Sequence, residues 1–276
     1  MTEIEINRNA PIGIFDSGVG GLTVLKEIQS LLPFENFVYF GDVSRTPYGG
    51  RSRDIIKEFT KQDISFLIEQ KVKFIICACN TASSVTIPKL NEDYNIEIIG
   101  VIKPGANAAT EITTNGKIGI IGTSGTINSN AYANYIHAIN PKLEVFSLAC
   151  PLFVPLVEEG YIDKEATYMI ARDYLQTMVE MDVDTLVLGC THYPLLYTVI
   201  RDIMGDNVTL IDSGKETAKM SFHKIKELNL LNPKNSALEN QLKYFVSDVP
   251  EKFVGVASRF MGKEVVNISR IDISKY

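Results

Sequence analysis

Two stretches of this chain, Phe74–Ser84 and Thr185–Leu195, are built alike. In each, an apolar run rich in β-branched residues ends at a cysteine, and small hydroxyl or amide residues follow: Cys79-Asn80-Thr81 in the first, Cys190-Thr191-His192 in the second. A short, continuous apolar run bounded by turn residues reads as a strand buried on both faces. Such strands belong to parallel sheets covered by helices. Each thiol is therefore expected at a turn where a strand stops and a helix begins. Two such turns at corresponding places in two halves of one chain suggest paired thiols facing one cleft.

The rest of the chain alternates in the same way. Pro11–Phe15 reads as a strand, Asp16-Ser17-Gly18-Val19-Gly20-Gly21 as a tight turn, and Leu22–Ile28 as the opening of a helix. A strand at Asn36–Phe40 leads into the loop Ser44–Arg51. An amphipathic helix from Arg53 to Gln70 would bury Ile56, Phe59, Ile64, Phe66 and Leu67. After a strand at Ile96–Val101, Pro104-Gly105 is expected to punctuate the chain. The pattern then restarts: Lys117–Gly125 echoes Ile12–Gly18, at nearly the offset that separates the two cysteines. Two echoes at similar spacing indicate a repeat of a whole domain. Helices near Ser129–Ile139 and Lys164–Met181, and strands at Leu143–Ala149 and Val208–Ile211, complete the second half. A further helix after Asp212-Ser213-Gly214, a polar Asn/Pro loop, a strand at Tyr244–Val246, a helix at Pro250–Met261 and a last strand at Val265–Ile268 form a tail outside the repeat.

The expected fold is α/β: two similar domains, each a mostly parallel sheet flanked by helices, related by a pseudo-two-fold repeat. The first, discontinuous domain comprises residues 1–102 and 213–276, the second residues 103–212. Parallel sheets bind ligands beyond the carboxyl ends of their strands. Asp16-Ser17, Pro47-Tyr48-Gly49 and Cys79-Asn80-Thr81 all follow strand ends and can share one crevice, which places the active site between the domains.

Bulk properties narrow the function. The 276 residues are 45% hydrophobic and 22% charged with a formal net charge of −6, which does not suit a nucleic-acid partner. No apolar run is long enough to cross a bilayer, and the N-terminus does not read as a signal peptide. Four cysteines lie within or beside apolar runs without disulfide-framework spacing, so a reducing, cytoplasmic setting is expected.

Among the candidate chemical groups, Cys79 and Cys190 come first, because a helix N-terminus favours an anion. His192, two residues beyond Cys190, suits acid–base assistance. Cys77 and Cys150 read as structural, and His137 and His223 as surface residues. Cys77-Ala78-Cys79 lacks a matching Cys/His pair for zinc. The glycine turn suggests a dinucleotide loop with Asp42 on a ribose. However, Thr23 stands where the third glycine of that fingerprint belongs, and Asp16 would face a pyrophosphate. Read otherwise, the glycines let the backbone approach a small ligand. Glu158-Glu159 reads as a solvated corner.

Together, Asp16–Val24, Pro47-Tyr48-Gly49, Cys79–Ser83 and Gly189–Leu195 resemble the glutamate racemase family, within the aspartate/glutamate racemase superfamily, in order and spacing over nearly the whole chain. The resemblance implies a cofactor-independent isomerase that interconverts L- and D-glutamate with two thiol bases and supplies D-glutamate for peptidoglycan. It implies that Cys79 acts on the D-isomer and Cys190 on the L-isomer, that Asp16 and His192 assist the thiols, and that Glu158 is an acidic residue near the cleft. Implied substrate contacts are Asp16, Ser17, Pro47, Tyr48, Gly49, Asn80, Thr81, Thr191 and His192. Glutamate would be the small-molecule partner, with no cofactor, metal, nucleic acid or membrane; a homodimer stays open. The rivals are a racemase of aspartate or a related acid, a nucleotide-dependent oxidoreductase, and a two-lobed binding protein.

Overall fold

The computed structural model describes residues 7–90, 93–233, 241–248, 251–266 and 268–276, of which 88–90 and 251–252 by backbone only. The first part of the polar lead-in, residues 234–240 of the Asn/Pro loop, Pro250 at the expected helix start and Asn267 in the expected last strand lie outside the described residues.

The first half runs β1 (Ile12–Asp16), α1 (Leu22–Leu31), β2 (Phe37–Gly41), α2 (Arg53–Glu69), β3 (Phe74–Cys77), α3 (Asn80–Leu90), β4 (Ile98–Gly100) and α4 (Ile102–Ile112). The second runs β5 (Lys117–Gly122), α5 (Ser124–Asn128), α6 (Ala131–Ile139), β6 (Glu144–Ala149), α7 (Phe153–Glu158), α8 (Glu165–Glu180), β7 (Thr185–Gly189), α9 (Tyr197–Met204), β8 (Thr209–Asp212) and α10 (Ser213–Glu227). The tail supplies β9 (Leu242–Val246), α11 (Glu251–Met261) and β10 (Ile268–Arg270).

One sheet has the order β10-β9-β2-β1-β3-β4 and the other β6-β5-β7-β8, with parallel pairing throughout. The order β2-β1-β3-β4 in one is matched by β6-β5-β7-β8 in the other, so the sequence echo is an echo of topology. β1 and β5 sit centrally and bond on both sides, which explains their unbroken apolar character. Ile12, Ile14 and Phe15 are wholly buried, each side chain contributing about 1.5–3 kcal/mol of hydrophobic stabilisation. In register, Asp16 pairs with Gly41 and Phe15 with Cys77; Gly122 pairs with Ala149 and Gly189. The strands of each sheet therefore end side by side, and both cysteine turns emerge at carboxyl ends. β9 pairs with β2, bringing the tail back to the first sheet, while α10 packs on both α1 and α4.

Several local expectations are corrected. Pro104-Gly105 does not break the chain, because Pro104 occupies the first turn of α4, where backbone N–H groups have no helical partner to lose. The helix expected near Ser129–Ile139 is α6, and a short helix not expected from the sequence, α5, precedes it, the two separated at Asn130, whose φ of 56° is left-handed. Phe59 is only half-buried, while Asp63, on the same face of α2, is fully buried.

Candidate active site

The glycine turn after β1 touches both cysteine turns. A Cβ on Gly20 would lie 2.1 Å from Thr191 Oγ1 and 2.6 Å from His192 Nδ1; one on Gly21 would lie 2.6 Å from the Cβ of Asp16 and 3.0 Å from that of Ala78. Only glycine permits these approaches. Thr23 Oγ1 adds a hydrogen bond to the Thr191 carbonyl at 3.1 Å. Two segments remote in sequence are thus held against one loop, and the residues Cys79 and Cys190 are only 5% and 6% exposed. The glycines serve packing between the halves, in place of the rejected pyrophosphate cradle.

Cys79 precedes α3. Its sulfur lies 3.4 Å from Ser17 Oγ and accepts from the Ala82 N–H at 3.4 Å. Burial pushes this thiol up to about 12, the nearby Asp16 carboxyl adding to the rise and the Ala82 and Ser17 hydrogen bonds opposing it. Asp16 is itself buried. Its Oδ2 accepts from the Gly18 N–H at 3.0 Å, while Oδ1 has no hydrogen-bond partner among the described residues. Burial raises its pKa against the opposing influence of His192. A carboxyl so placed can hold a proton beside a thiol or receive an ammonium group.

The second turn has a different proton partner. Cys190 Sγ lies 3.8 Å from His192 Nδ1, and His192 Nε2 lies 3.0 Å from Glu158 Oε1 at the end of α7. Burial alone would lower the imidazole's pKa, but hydrogen bonds to Cys190 and Glu158 outweigh it and bring the ring up to about 10. The tail braces this arrangement. Phe260 of α11 stands edge-on to the His192 ring at 5.3 Å, and Arg259 donates to the carbonyls of Val157 and Glu158 at 3.1 and 3.2 Å. The Glu158-Glu159 pair is thus no mere solvated corner: Glu158 reaches the histidine.

Other expected residues bond across the two halves of the chain. Asn80 donates to Ser213 Oγ at 3.4 Å and accepts from the Tyr132 hydroxyl at 2.7 Å. The Thr81 hydroxyl lies 2.9 Å from that of Thr123 and 3.4 Å from that of Thr126. Thr123 and Thr126 escaped the sequence reading, although Thr123-Ser124-Gly125 occupies the place of Asp16-Ser17-Gly18 in the repeat. Pro47 is exposed and Gly49 packs on Thr123, but the Tyr48 ring is buried within the first half, its hydroxyl bonded to Asp42 and Asp63. Asp42 therefore anchors a loop and does not await a ribose. Cys77 and Cys150 are fully buried, and His137 and His223 are exposed. Among the described residues, no group of three or more His, Cys, Asp or Glu side chains is placed to hold a metal ion, and no helix is long and apolar enough to cross a membrane.

The family model for Asp/Glu/hydantoin racemases matches residues 46–221, a span holding both cysteines, Glu158 and His192. The chain belongs to this racemase family. The glutamate racemase of Geobacter metallireducens is 47% identical over 262 residues, covering 95% of this chain and 96% of that protein. That of Chlorobaculum parvum is 44% identical, covering 98% and 99%. The crystal structure of glutamate racemase from Francisella tularensis in complex with D-glutamate superposes with a TM-score of 0.92 at 39% identity, covering 98% of this chain and all of that one. In this chain Cys190 lies beside His192, and Cys79 beside Ser17 with the Asp16 charge nearby.

Proposed function

We propose that this protein is a glutamate racemase, an isomerase that interconverts L- and D-glutamate in a cleft between a domain of residues 1–102 and 213–276 and a domain of residues 103–212. The observation that carries the mechanism is the meeting of both cysteine turns on the Asp16–Thr23 loop, each with a distinct proton partner. One thiolate takes the α-proton and the opposite thiol delivers a proton to the other face. Cys190 serves the L-isomer, passing protons to and from His192, which Glu158 orients. Cys79 serves the D-isomer beside Asp16. D-Glutamate made in this way would feed peptidoglycan synthesis.

An α-carbanion of an amino acid is poorly stabilised, so donors fixed in advance and exclusion of water must supply much of the lowering of the barrier. The near-complete burial of both thiols supports that reading. Ser17, Asn80, Thr81 and Thr191, with the backbone of Pro47-Tyr48-Gly49, would hold the substrate's charged groups, and their hydroxyl and amide donors suit two carboxylates.

Incubation with L-glutamate in deuterated water, without added cofactor, should yield D-glutamate carrying deuterium at the α-carbon. Absence of exchange and of any loss of optical rotation would refute the reading. Exchange of L-aspartate alone would reassign the substrate.

A further inference from the structure

Beneath the Pro47–Gly49 loop lies a group of four polar side chains outside the proton-transfer machinery, three buried and Arg45 partly so. Asp42 follows β2, Arg45 and Tyr48 lie in the loop, and Asp63 comes from the middle of α2. The Tyr48 hydroxyl is 2.5 Å from Asp42 Oδ2 and 3.1 Å from Asp63 Oδ2. Arg45 bonds Asp42 Oδ2 at 2.5 Å and Asp63 Oδ1 at 3.2 Å, and its guanidinium lies 4.0 Å above the Phe59 ring. Both carboxylates are fully buried.

One hydroxyl carries one proton and cannot donate fully to two carboxylates. Both hydroxyl contacts are satisfied when Tyr48 donates to Asp42, the carboxylate nearer Arg45, and a protonated Asp63 donates to the Tyr48 oxygen; Asp42 Oδ1 has no hydrogen-bond partner among the described residues. Two carboxylates facing one guanidinium likewise leave one surplus negative charge unless a proton is held. We propose, building on the glutamate reading of the cleft, that Asp63 is a positioning residue: the ladder Asp63–Tyr48–Asp42, closed by one held proton, fixes the Pro47–Gly49 loop for substrate binding. The other face of that loop meets the second half of the chain, because Gly49 packs on Thr123 and its carbonyl lies close to Gly125. The ladder thus sets how the loop meets the partner wall of the cleft.

The surroundings agree with a held proton. The charged and titratable groups facing Asp63 are Asp42, Arg45, Tyr48, Asp16 at the end of β1 and Cys77 on β3. Burial, and then Asp42, raise the Asp63 carboxyl well above the ordinary range, against the opposing pull of Arg45 and Tyr48. The Tyr48 hydroxyl is also held well above its usual value by burial and both carboxylates.

The test is steady-state kinetics of the full chain in both directions, from neutral pH to about pH 10, with thermal melts alongside. Asp63→Ala should raise KM for both isomers by about tenfold while kcat changes less. Asp63→Asn supplies a permanent N–H donor at the same place and should recover most of that loss. Wherever Asp63 gives up its proton within that range, the native KM should climb while that of Asp63→Asn stays flatter. The variant retains His192 and Cys79, so the difference isolates position 63. Unchanged KM in Asp63→Ala, or an Asp63→Asn no better than it, would each overturn the proposal. Should Asp63→Ala fail to fold, Tyr48→Phe removes only the ladder's hydroxyl, and a native KM there overturns it equally. A native protein inactive on glutamate overturns the functional reading and the ladder together; an active one with unaltered variants overturns the ladder alone.

Discussion

His192 Nε2 lies 3.0 Å from Glu158 Oε1, joining the second cysteine turn to the end of α7. Against burial, hydrogen bonds to Cys190 and then to Glu158 let the imidazole keep its proton well past neutrality, up to about 10 from the ordinary 6.5. A raised folded-state pKa contributes stability that is complete below about 6.5 and lost as pH rises through about 10. Glu158→Gln should therefore lower the His192 titration by about one unit or more and destabilise the fold more at pH 6 than above the ring's own pKa. The chain has three histidines and the other two are exposed, so the buried imidazole should give a separable proton resonance. An unshifted titration would show that Glu158 does not govern the ring.

Each thiol is expected to be indispensable for racemisation but not for exchange on its partner's face. Cys79→Ser and Cys190→Ser should each lower racemisation by about 10²–10⁴-fold or more. Cys79→Ser should still exchange the α-proton of L-glutamate for deuterium without inversion, and Cys190→Ser that of D-glutamate. Chiral analysis with mass spectrometry separates the outcomes, and a single-serine variant retaining full racemisation would eliminate the two-thiol mechanism.

Arg259 is exposed on α11, yet it donates to the two carbonyls that end α7. Arg259→Ala should loosen Glu158 and, through it, His192. The expected signature is a several-fold loss of kcat for L-glutamate. Thermal stability should fall by no more than about 1 kcal/mol, because one bond is solvent-exposed and the other only part-buried. A loss of stability without a kinetic effect would reduce α11 to packing.

Asp184 fastens the loop before β5. It accepts from Thr113 Oγ1 at 2.7 Å, from Thr114 N and Oγ1 at 2.6 and 2.8 Å, and from Asn115 N at 2.7 Å. These donors hold its carboxyl far below the ordinary value although partial burial opposes them. A depressed folded-state pKa gives stability that is present above the unfolded value of 3.8 and lost as pH falls below it. Asp184→Ala should cost about 1–2 kcal/mol at neutral pH, water screening the partly exposed bonds, and the gap should close in acid. Urea melts at two pH values check this; a pH-independent gap would refute it.

Much of the candidate site was legible in sequence because the relevant signals are local. Cys79 and Cys190 were recognisable from the way apolar strands stop at small polar residues, and β1 from its unbroken apolar run. Asp63 was not legible: in a sequence it is one more polar residue on an amphipathic helix, and only the loop folded over it makes the position buried. Glu158 looked like a solvated corner because its partner lies 34 residues away. Pro104-Gly105 misled because a proline in a first helical turn and a proline in a break read alike.

Taken alone, the sequence determined the alternation of strands and helices, the repeat of two halves and the position of each thiol at a strand end. Those features follow from hydrophobic periodicity and from which residues can turn the chain, both properties of neighbouring residues. The tertiary structure decided that the Asp16–Thr23 loop meets both cysteine turns, that Cys79 neighbours Asp16 while Cys190 neighbours His192, and that Asp42, Asp63 and Arg45 close beneath Tyr48. These relations depend on how two sheets and a returning tail pack. Burial then sets the local dielectric, and with it where each proton resides.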